Sequence, residues 1–364
     1  MSFHFAHQVY FDQLHENLEK EVQNGNVNRQ SNGDLHLYCY SKTCVFDRAW
    51  NDYTCVARGL ILDVKHKKIV ATPFPKFFNV GEHSNLIPNE PFISYEKLDG
   101  SLIIAFYYNG EWHTATKGSF FSEQAQWAKK QLQPYEEHLD QNVTYLFEAI
   151  YPENRIVVKY DYEGLVLLGA YDNQDGKEIP LWAMQGGLPF RAAKTYDMKS
   201  LESLLEEAQS LSANEEGWVI RFASGLRLKV KGAEYKRIHA MVSRLSPLSV
   251  WESMKNEDDL TLFRKDLPEE FWGDFDQIVM LLENKLEALA SKIKRLADEC
   301  KDLSDKEVGL RLNTFPQPEA KYLFAFRKAP ERLSKGLFSE VRPTGNKLED
   351  YRPSFATHQI QNEY

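Results

Sequence analysis

The sequence is short of cysteine, short of positive charge and without any long apolar run. Four cysteines, Cys39, Cys44, Cys55 and Cys300, occur in 364 residues. No two have C-x-x-C spacing and none clusters with histidine, which argues against a structural zinc site of the Cys/His type. Scattered in this way, they read as reduced, partly buried thiols of a cytosolic protein rather than as disulfides. No stretch approaches the ~18 apolar residues of a membrane span. Residues Met1 to Leu14 lack both a basic n-region and a continuous apolar h-region, so no signal peptide is expected. A cytoplasmic chain with no membrane partner follows as the expectation. Lys plus Arg number 44 against 53 Asp plus Glu, a formal net charge of -9. That balance argues against nucleic-acid binding, which needs cations to neutralise phosphate. Net charge does not locate the charges, however. No internal repeat or low-complexity tract is present.

What is there suits a globular protein of two domains: 43% hydrophobic and 13% aromatic residues. From about Leu35 to Lys231, short apolar runs alternate with turn signals. Strands are expected at Leu35–Tyr40, Arg58–Asp63 and Lys68–Thr72, and Thr144–Ile150 has the same texture. Three hairpins are expected to turn at Asn109-Gly110, near Asp175-Gly176 and at Ser224-Gly225, because such dipeptides accept positive φ. Helices are expected at Ser122–Leu132 and Ser200–Gln209, with Ser122 as N-cap. After about Ala233 the strand pattern stops. Ile278, Leu282, Leu286, Leu289, Ile293 and Leu296 then form one stripe of a long helix starting near Asp274. Shorter helices are expected around Pro247–Met254 and Ala320–Arg327, and an irregular tail from Arg342. The reading is an α+β domain over residues 1–240 and an all-helical domain over 241–364.

Several residues suggest chemistry. Lys97-Leu-Asp99-Gly100 sits between two strand-like stretches, placing a primary amine beside a tight bend. Lysine is a good nucleophile toward phosphorus once its ordinary pKa near 10.4 is lowered, by desolvation or nearby positive charge. Alone, K-x-D-G is weak, and a solvated surface hairpin explains it as well. Lys229 and Lys231 lie two apart on a strand, hence on one face. They make either a blunted edge or a phosphate clamp. Glu148 and Glu216 sit inside apolar strand patterns and need partners: a basic side chain, a bound cation or a ribose hydroxyl. Arg58 and Lys76 could be surface cations, and Phe77 and Phe78 are expected in the core.

Taken together and in order, these residues resemble the covalent nucleotidyltransferases, the superfamily of ATP-dependent ligases and RNA capping enzymes. Lys97, Asp99 and Gly100 match the nucleophile motif, Glu148 the next motif's acid, Glu216-Gly217 the following E-G, and Lys229 with Lys231 the closing K-x-K. Within the superfamily the chain is most similar to the phage-type RNA ligase 1 family. That likeness rests on Ser101, Ala57-Arg58-Gly59, Lys76-Phe77-Phe78-Asn79, Lys117-Gly118-Ser119 and Pro152–Val157. Tyr38 and Tyr235 occupy further family positions, and Asp258–Leu260 looks like the family's acidic site in its helical domain.

The resemblance implies a nucleotidyltransferase (ATP-grasp-like ligase) fold of antiparallel sheets with helices, followed by a helical domain that recognises RNA. It implies an ATP-dependent RNA ligase acting through a lysyl–AMP on Lys97 and an RNA-adenylate. Lys229 and Lys231 would bind the α-phosphate. Tyr38, Arg58, Lys76 and Lys117 would align the leaving pyrophosphate. Glu148 would contact ribose or metal, and Glu216 a Mg²⁺ (or Mn²⁺) shell, with Asp258 a further metal residue. Asp99 would hydrogen-bond the lysines. Single-stranded RNA or a tRNA nicked in a loop is the implied partner, for a monomer engaged in RNA repair. The alternatives are a DNA ligase, a capping guanylyltransferase or a catalytically silent RNA-binding relative. Five cations, Arg227, Lys229, Lys231, Lys236 and Arg237, crowd one short segment expected to line the phosphate site, which reconciles the acidic balance with RNA.

Overall fold

The computed structural model describes residues 3–82, 87–184, 186–198, 200–329, 334–344 and 347–353. The chain falls into two compact units, one up to His239 and one from Ala240 onward. The first unit is α+β. Strands β1 (Val27–Asn32), β2 (Leu35–Tyr40), β3 (Arg58–Asp63) and β4 (Lys68–Ala71) form an antiparallel sheet in that order. Two short strands follow, β5 (Phe78–Asn79) and β6 (Phe92–Glu96). Next come β7 (Ser101–Tyr108), β8 (Glu111–Thr116), β9 (Val143–Ile150), β10 (Gly164–Asp172), β11 (Glu178–Ile179) and β12 (Arg191–Ala192). These make the second sheet, β11-β10-β9-β7-β8, with β12 added on β10. Finally β13 (Thr195–Tyr196), β14 (Gly217–Phe222) and β15 (Arg227–Lys231) return to β6 and β5, in the order β13-β6-β14-β15-β5.

The second sheet is buried on both faces, which is why its strands read as continuous apolar runs rather than alternating ones. Every residue of β9 is buried. Tyr145, Phe147 and Ala149 point to the face covered by Ala128 and Leu132 of the helix Glu123–Leu132. Leu146, Ile104 and Phe106 point to the other face, against Leu37, Ile61 and Ala71 of the first sheet. Each such side chain stabilises the fold by about 1.5–3 kcal/mol through burial. The β7–β8 hairpin turns at Asn109 and Gly110 with φ of 51° and 89°, the double positive φ of a type I′ turn. Ser122 caps the helix by accepting the Ala125 amide. The third sheet packs Trp218, Ile220 and Phe222 on Leu204 and Ala208 of the helix Leu201–Glu207 and its end.

The helix Phe11–Gln23 and strand β1 were not expected from the sequence. The helix buries Leu14 and Leu18, with Phe11 and Val22 partly buried on the same face. The second unit contains helices without strands among its described residues. Its longest helix, Trp272–Glu299, buries Ile278, Leu282, Leu289, Ile293 and Leu296, with Leu286 partly buried. The stretch from Arg342 is irregular where described, and Gly345 lies outside the described residues. Among the described residues, no helix is long and apolar enough to cross a membrane.

Candidate active site

A cleft of about 930 Å³ opens in the first unit, and Lys97, Asp99, Gly100, Ser101, Glu148 and Glu216 line it together with Arg58 and Lys117. Its floor is made by strand register. On β6 and β14, Glu96 pairs with Trp218, and the Lys97 amide then donates to the Gly217 carbonyl at 2.9 Å. On the other side, Gly217 pairs with Lys231 of β15. Three neighbouring strands thus bring Lys97, Glu216 and Lys231 to one point, though 134 positions separate the lysines in sequence. Glu216 Oε1 lies 2.6 Å from Lys97 Nζ and 3.2 Å from Lys231 Nζ. One carboxylate oxygen is thus shared by two ammonium groups. The glycine is required here: at φ 132°, a Cβ on Gly217 would lie 2.0 Å from the Val230 carbonyl oxygen.

The bend Leu98–Ser101 carries the chain from the third sheet to the second, and it is held from several directions. Asp99 Oδ2 accepts the amides of Val157 and Val158 at 2.7 and 2.8 Å. Asp99 Oδ1 accepts the hydroxyl of Tyr235 at 2.8 Å, and the Asp99 amide donates to Tyr160 Oη. Ser101 Oγ donates to Asn154 Oδ1, and Asn154 Nδ2 donates to the Ala149 carbonyl. The segment after Glu148 therefore folds back to clamp the lysine loop. The hydrogen bonds seen for Asp99 go to the loop and to Tyr235. Its two oxygens are occupied by backbone amides and a tyrosine, and it positions Lys97 through the loop.

Glu148 Oε1 accepts the Gly100 amide at 3.0 Å. Burial pushes its carboxyl up to about 8; Lys97 opposes this, while Glu216 and Asp99 add to it. Burial and Glu216 likewise push Asp99 up to about 6. Three carboxyls here face two ammonium groups, so the floor lacks positive charge. Arg58 and Lys117 add positive charge to the lining of the cleft. Arg58 Nη1 is enclosed and has no hydrogen-bond partner, with the guanidinium 5.3 Å from the Phe77 ring. Lys117 Nζ lies 5.7 Å from the Tyr40 ring. Lys76 Nζ stands 5.2 to 5.6 Å from the rings of Trp50, Phe78 and Tyr40, and so is held by aromatic faces beside the cleft.

One expected residue, Tyr38, lies elsewhere. Tyr38 is fully buried and donates its hydroxyl to Glu19 Oε1 at 2.7 Å, away from the cleft. Tyr40 lines the cleft instead. Strict alternation gives no reason to separate Tyr38 from Tyr40. The register shift between Tyr38 and Cys39 on β2 and β3, beside Gly59 at φ 98°, re-aims the end of the strand. Arg227 does line the cleft, as expected of its segment, but it is largely buried and paired with Glu178, with its guanidinium 4.3 Å from the Phe74 ring. Lys229 pairs with Val219 across the strands and lies near enough to Glu82 to help lower that carboxyl. Asp258 is exposed in the second unit, just before Asp259, which caps the helix Leu260–Asp266. Sequence reasoning missed Tyr40, Asn154 and Tyr160, whose roles depend on backbone paths that no spacing encodes.

The cleft thus sets a lysine amine against acids and carries Arg58 and Lys117 in the same lining. Residues 56–235 match a family model described as RNA ligase. Over 242 residues the chain is 33% identical to a protein of Autographa californica nuclear polyhedrosis virus named "Putative bifunctional polynucleotide kinase/RNA ligase", a match to 57% of this chain and 34% of that one. It is 26% identical over 200 residues to an RNA ligase of Rhodothermus phage RM378, covering 42% of this chain and 44% of the relative. Among solved structures, an archaeal ATP-dependent RNA ligase in its second form aligns over 97% of this chain and 98% of its own at 15% identity. Its TM-score is 0.48, too loose a likeness for any function to follow from it. The chain belongs to the phage-type RNA ligase 1 family. It spans only 34% to 52% of the length of the curated relatives it matches.

Proposed function

We propose that this protein is an ATP-dependent RNA ligase that joins 5′-phosphate and 3′-hydroxyl RNA ends through a lysyl–AMP on Lys97. The observation that carries this reading is the cleft itself, lined together by Lys97, paired with Glu216, and by Arg58, whose enclosed Nη1 has no hydrogen-bond partner. The first step forms an N–P bond between Lys97 and the α-phosphate of ATP and releases pyrophosphate. The AMP then passes to a 5′-phosphate. The 3′-hydroxyl attacks that activated phosphate, and AMP leaves. Such displacements at phosphorus depend mostly on positioning and charge stabilisation. Arg58, Lys117 and Lys76 suit the pyrophosphate end, with Tyr40 in the place first given to Tyr38. Lys97 and Lys231 share Glu216 Oε1, which holds the nucleophile in place on the cleft.

The donor set fits a hard divalent cation. Mg²⁺ takes one or two carboxylates plus substrate phosphate, and Glu148 and Glu216 offer two on a floor short of positive charge. When bound, the ion would supply charge against the phosphate oxygens. The helical second unit is the natural candidate for recognising the RNA, with a nicked tRNA loop as the substrate to try first. The helix Ala233–Arg244 directly after Lys231, and the lack of strands among the described residues of the second unit, favour this over a DNA ligase carrying a β-barrel.

The test is incubation with ATP radiolabelled at the α-phosphate and Mg²⁺, followed by a denaturing gel. Wild type is expected to carry label and Lys97→Ala none. Label on the alanine variant would overturn the nucleophile assignment. Preference for GTP would favour a capping enzyme, and sealing of single-stranded DNA over RNA would overturn the substrate class.

A further inference from the structure

A second polar cluster stands where the helix Phe11–Gln23 meets β2, and none of its residues lines the cleft. His15 and Glu19 are four apart on the helix and so share a face. His36 reaches the same point from the strand. One ligand-capable atom from each lies within 4.8 Å of the others. His15 Nε2 is enclosed by protein and has no hydrogen-bond partner. Glu19 Oε1 is 3.7 Å from it, beyond hydrogen-bond range.

The surroundings also orient the other ligands. Tyr38 has one hydroxyl proton, and it is donated to Glu19 Oε1 at 2.7 Å. Tyr38 Oη can then only accept from His36 Nδ1, 3.3 Å away. That makes His36 the Nδ1–H tautomer and leaves its Nε2 lone pair to offer. Arg29 Nη1 fixes the other oxygen of Glu19 at 2.7 Å. The result is two imidazole nitrogens and a carboxylate oxygen mounted on a helix and a strand, backed by Tyr38 and Arg29.

We infer that His15, Glu19 and His36 form a binding site for a divalent transition metal of the zinc class. Imidazole donors suit Zn²⁺, Co²⁺, Ni²⁺ or Cu²⁺, whereas Mg²⁺ prefers oxygen. The site is independent of the cleft and clips the N-terminal helix to β2. Arg29 is its one opposing feature, because a guanidinium on Glu19 repels an incoming cation.

The experiment titrates the full chain with Zn²⁺ by calorimetry and with Co²⁺ by visible absorption, both in excess Mg²⁺ to fill oxygen sites. Wild type is expected to bind one equivalent more than either His15→Gln or His36→Gln. The Co²⁺ bands should lack thiolate charge transfer, which separates this site from the cysteines. Zn²⁺ should raise the melting temperature of wild type and of neither variant. Arg29→Gln should bind Zn²⁺ more tightly, a gain that misfolding does not explain. The two histidine variants lie on different elements, so one unfolded variant leaves the other readable. Equal stoichiometry in wild type and variants, or no binding by wild type, would overturn the site.

Discussion

Glu178 and Glu148 are both buried carboxylates of the second sheet, on β11 and β9, with β10 between them. Their environments push them in opposite directions. Burial raises Glu178 too, but Arg227 and Arg221 beside it hold its carboxyl down to about 2. Glu148 has the Gly100 amide and the opposing charge of Lys97, yet burial still raises it to about 8. The first acid is compensated twice over, and its arginines tie β11 to β14 and β15. The second is left short of positive charge beside a cleft. A buried acid that the protein satisfies by itself is a structural part, whereas one it leaves unsatisfied is prepared for something that binds.

The largest effect should come from breaking the satisfied site. Glu178→Gln leaves the buried Arg227 and the partly buried Arg221 without their carboxylate and should destabilise the fold by about 3–5 kcal/mol. Urea unfolding measures it, and a loss below about 1 kcal/mol would erase the contrast. Next, Glu148→Gln should leave stability at pH 7 unchanged or higher, yet lower lysyl–AMP formation by about 100-fold, as loss of one charge-stabilising group does. Single-turnover labelling beside a melt separates the two. A variant that merely unfolds would make Glu148 structural as well.

The pH dependence sharpens the comparison further. Glu178 has a depressed pKa, so its contribution is present above 4.5 and is lost as pH falls toward about 2. Glu148 has a raised pKa, so its contribution is present below 4.5 and is lost as pH rises toward about 8. Asp99 loses its own share by about pH 6. Between pH 6 and 8, the fall in wild-type stability should therefore flatten in Glu148→Gln, and the acid limb should flatten in Glu178→Gln. Stability curves across pH that change on the same limb in both variants would contradict this. The smallest effect concerns two tyrosines of β2. Tyr38→Phe removes one buried hydrogen bond, costing about 1 kcal/mol of stability, with adduct formation kept. Tyr40→Ala should do the reverse, with adenylation reduced in the labelling assay and the melting temperature nearly unmoved.

Much of the fold was legible because its sheet strands announce themselves by composition and its hairpins by turn residues. Leu35–Tyr40, Arg58–Asp63, Ser101–Tyr108 and Gly217–Phe222 are strands with the bounds expected. Ser122 and Ser200 cap helices by accepting the amides three residues on. The helix Phe11–Gln23 was not expected, although Phe11, Leu14, Leu18 and Val22 recur at helical spacing and make one apolar face. Nor was the placement of Arg227, whose position in a cationic segment resembles that of a phosphate ligand until Glu178, 49 residues away, is found against it.

By itself, the sequence determined the chemistry available: a lysine before an Asp-Gly bend, two acids in apolar strands and the family those motifs belong to. Only the tertiary structure decided which of these groups meet. Register across β6, β14 and β15 joins Lys97, Glu216 and Lys231, and one irregular step in β2 exchanges Tyr38 for Tyr40. The physical reason is that side-chain identity is local, whereas charge compensation depends on distances of a few ångströms between residues far apart in the chain.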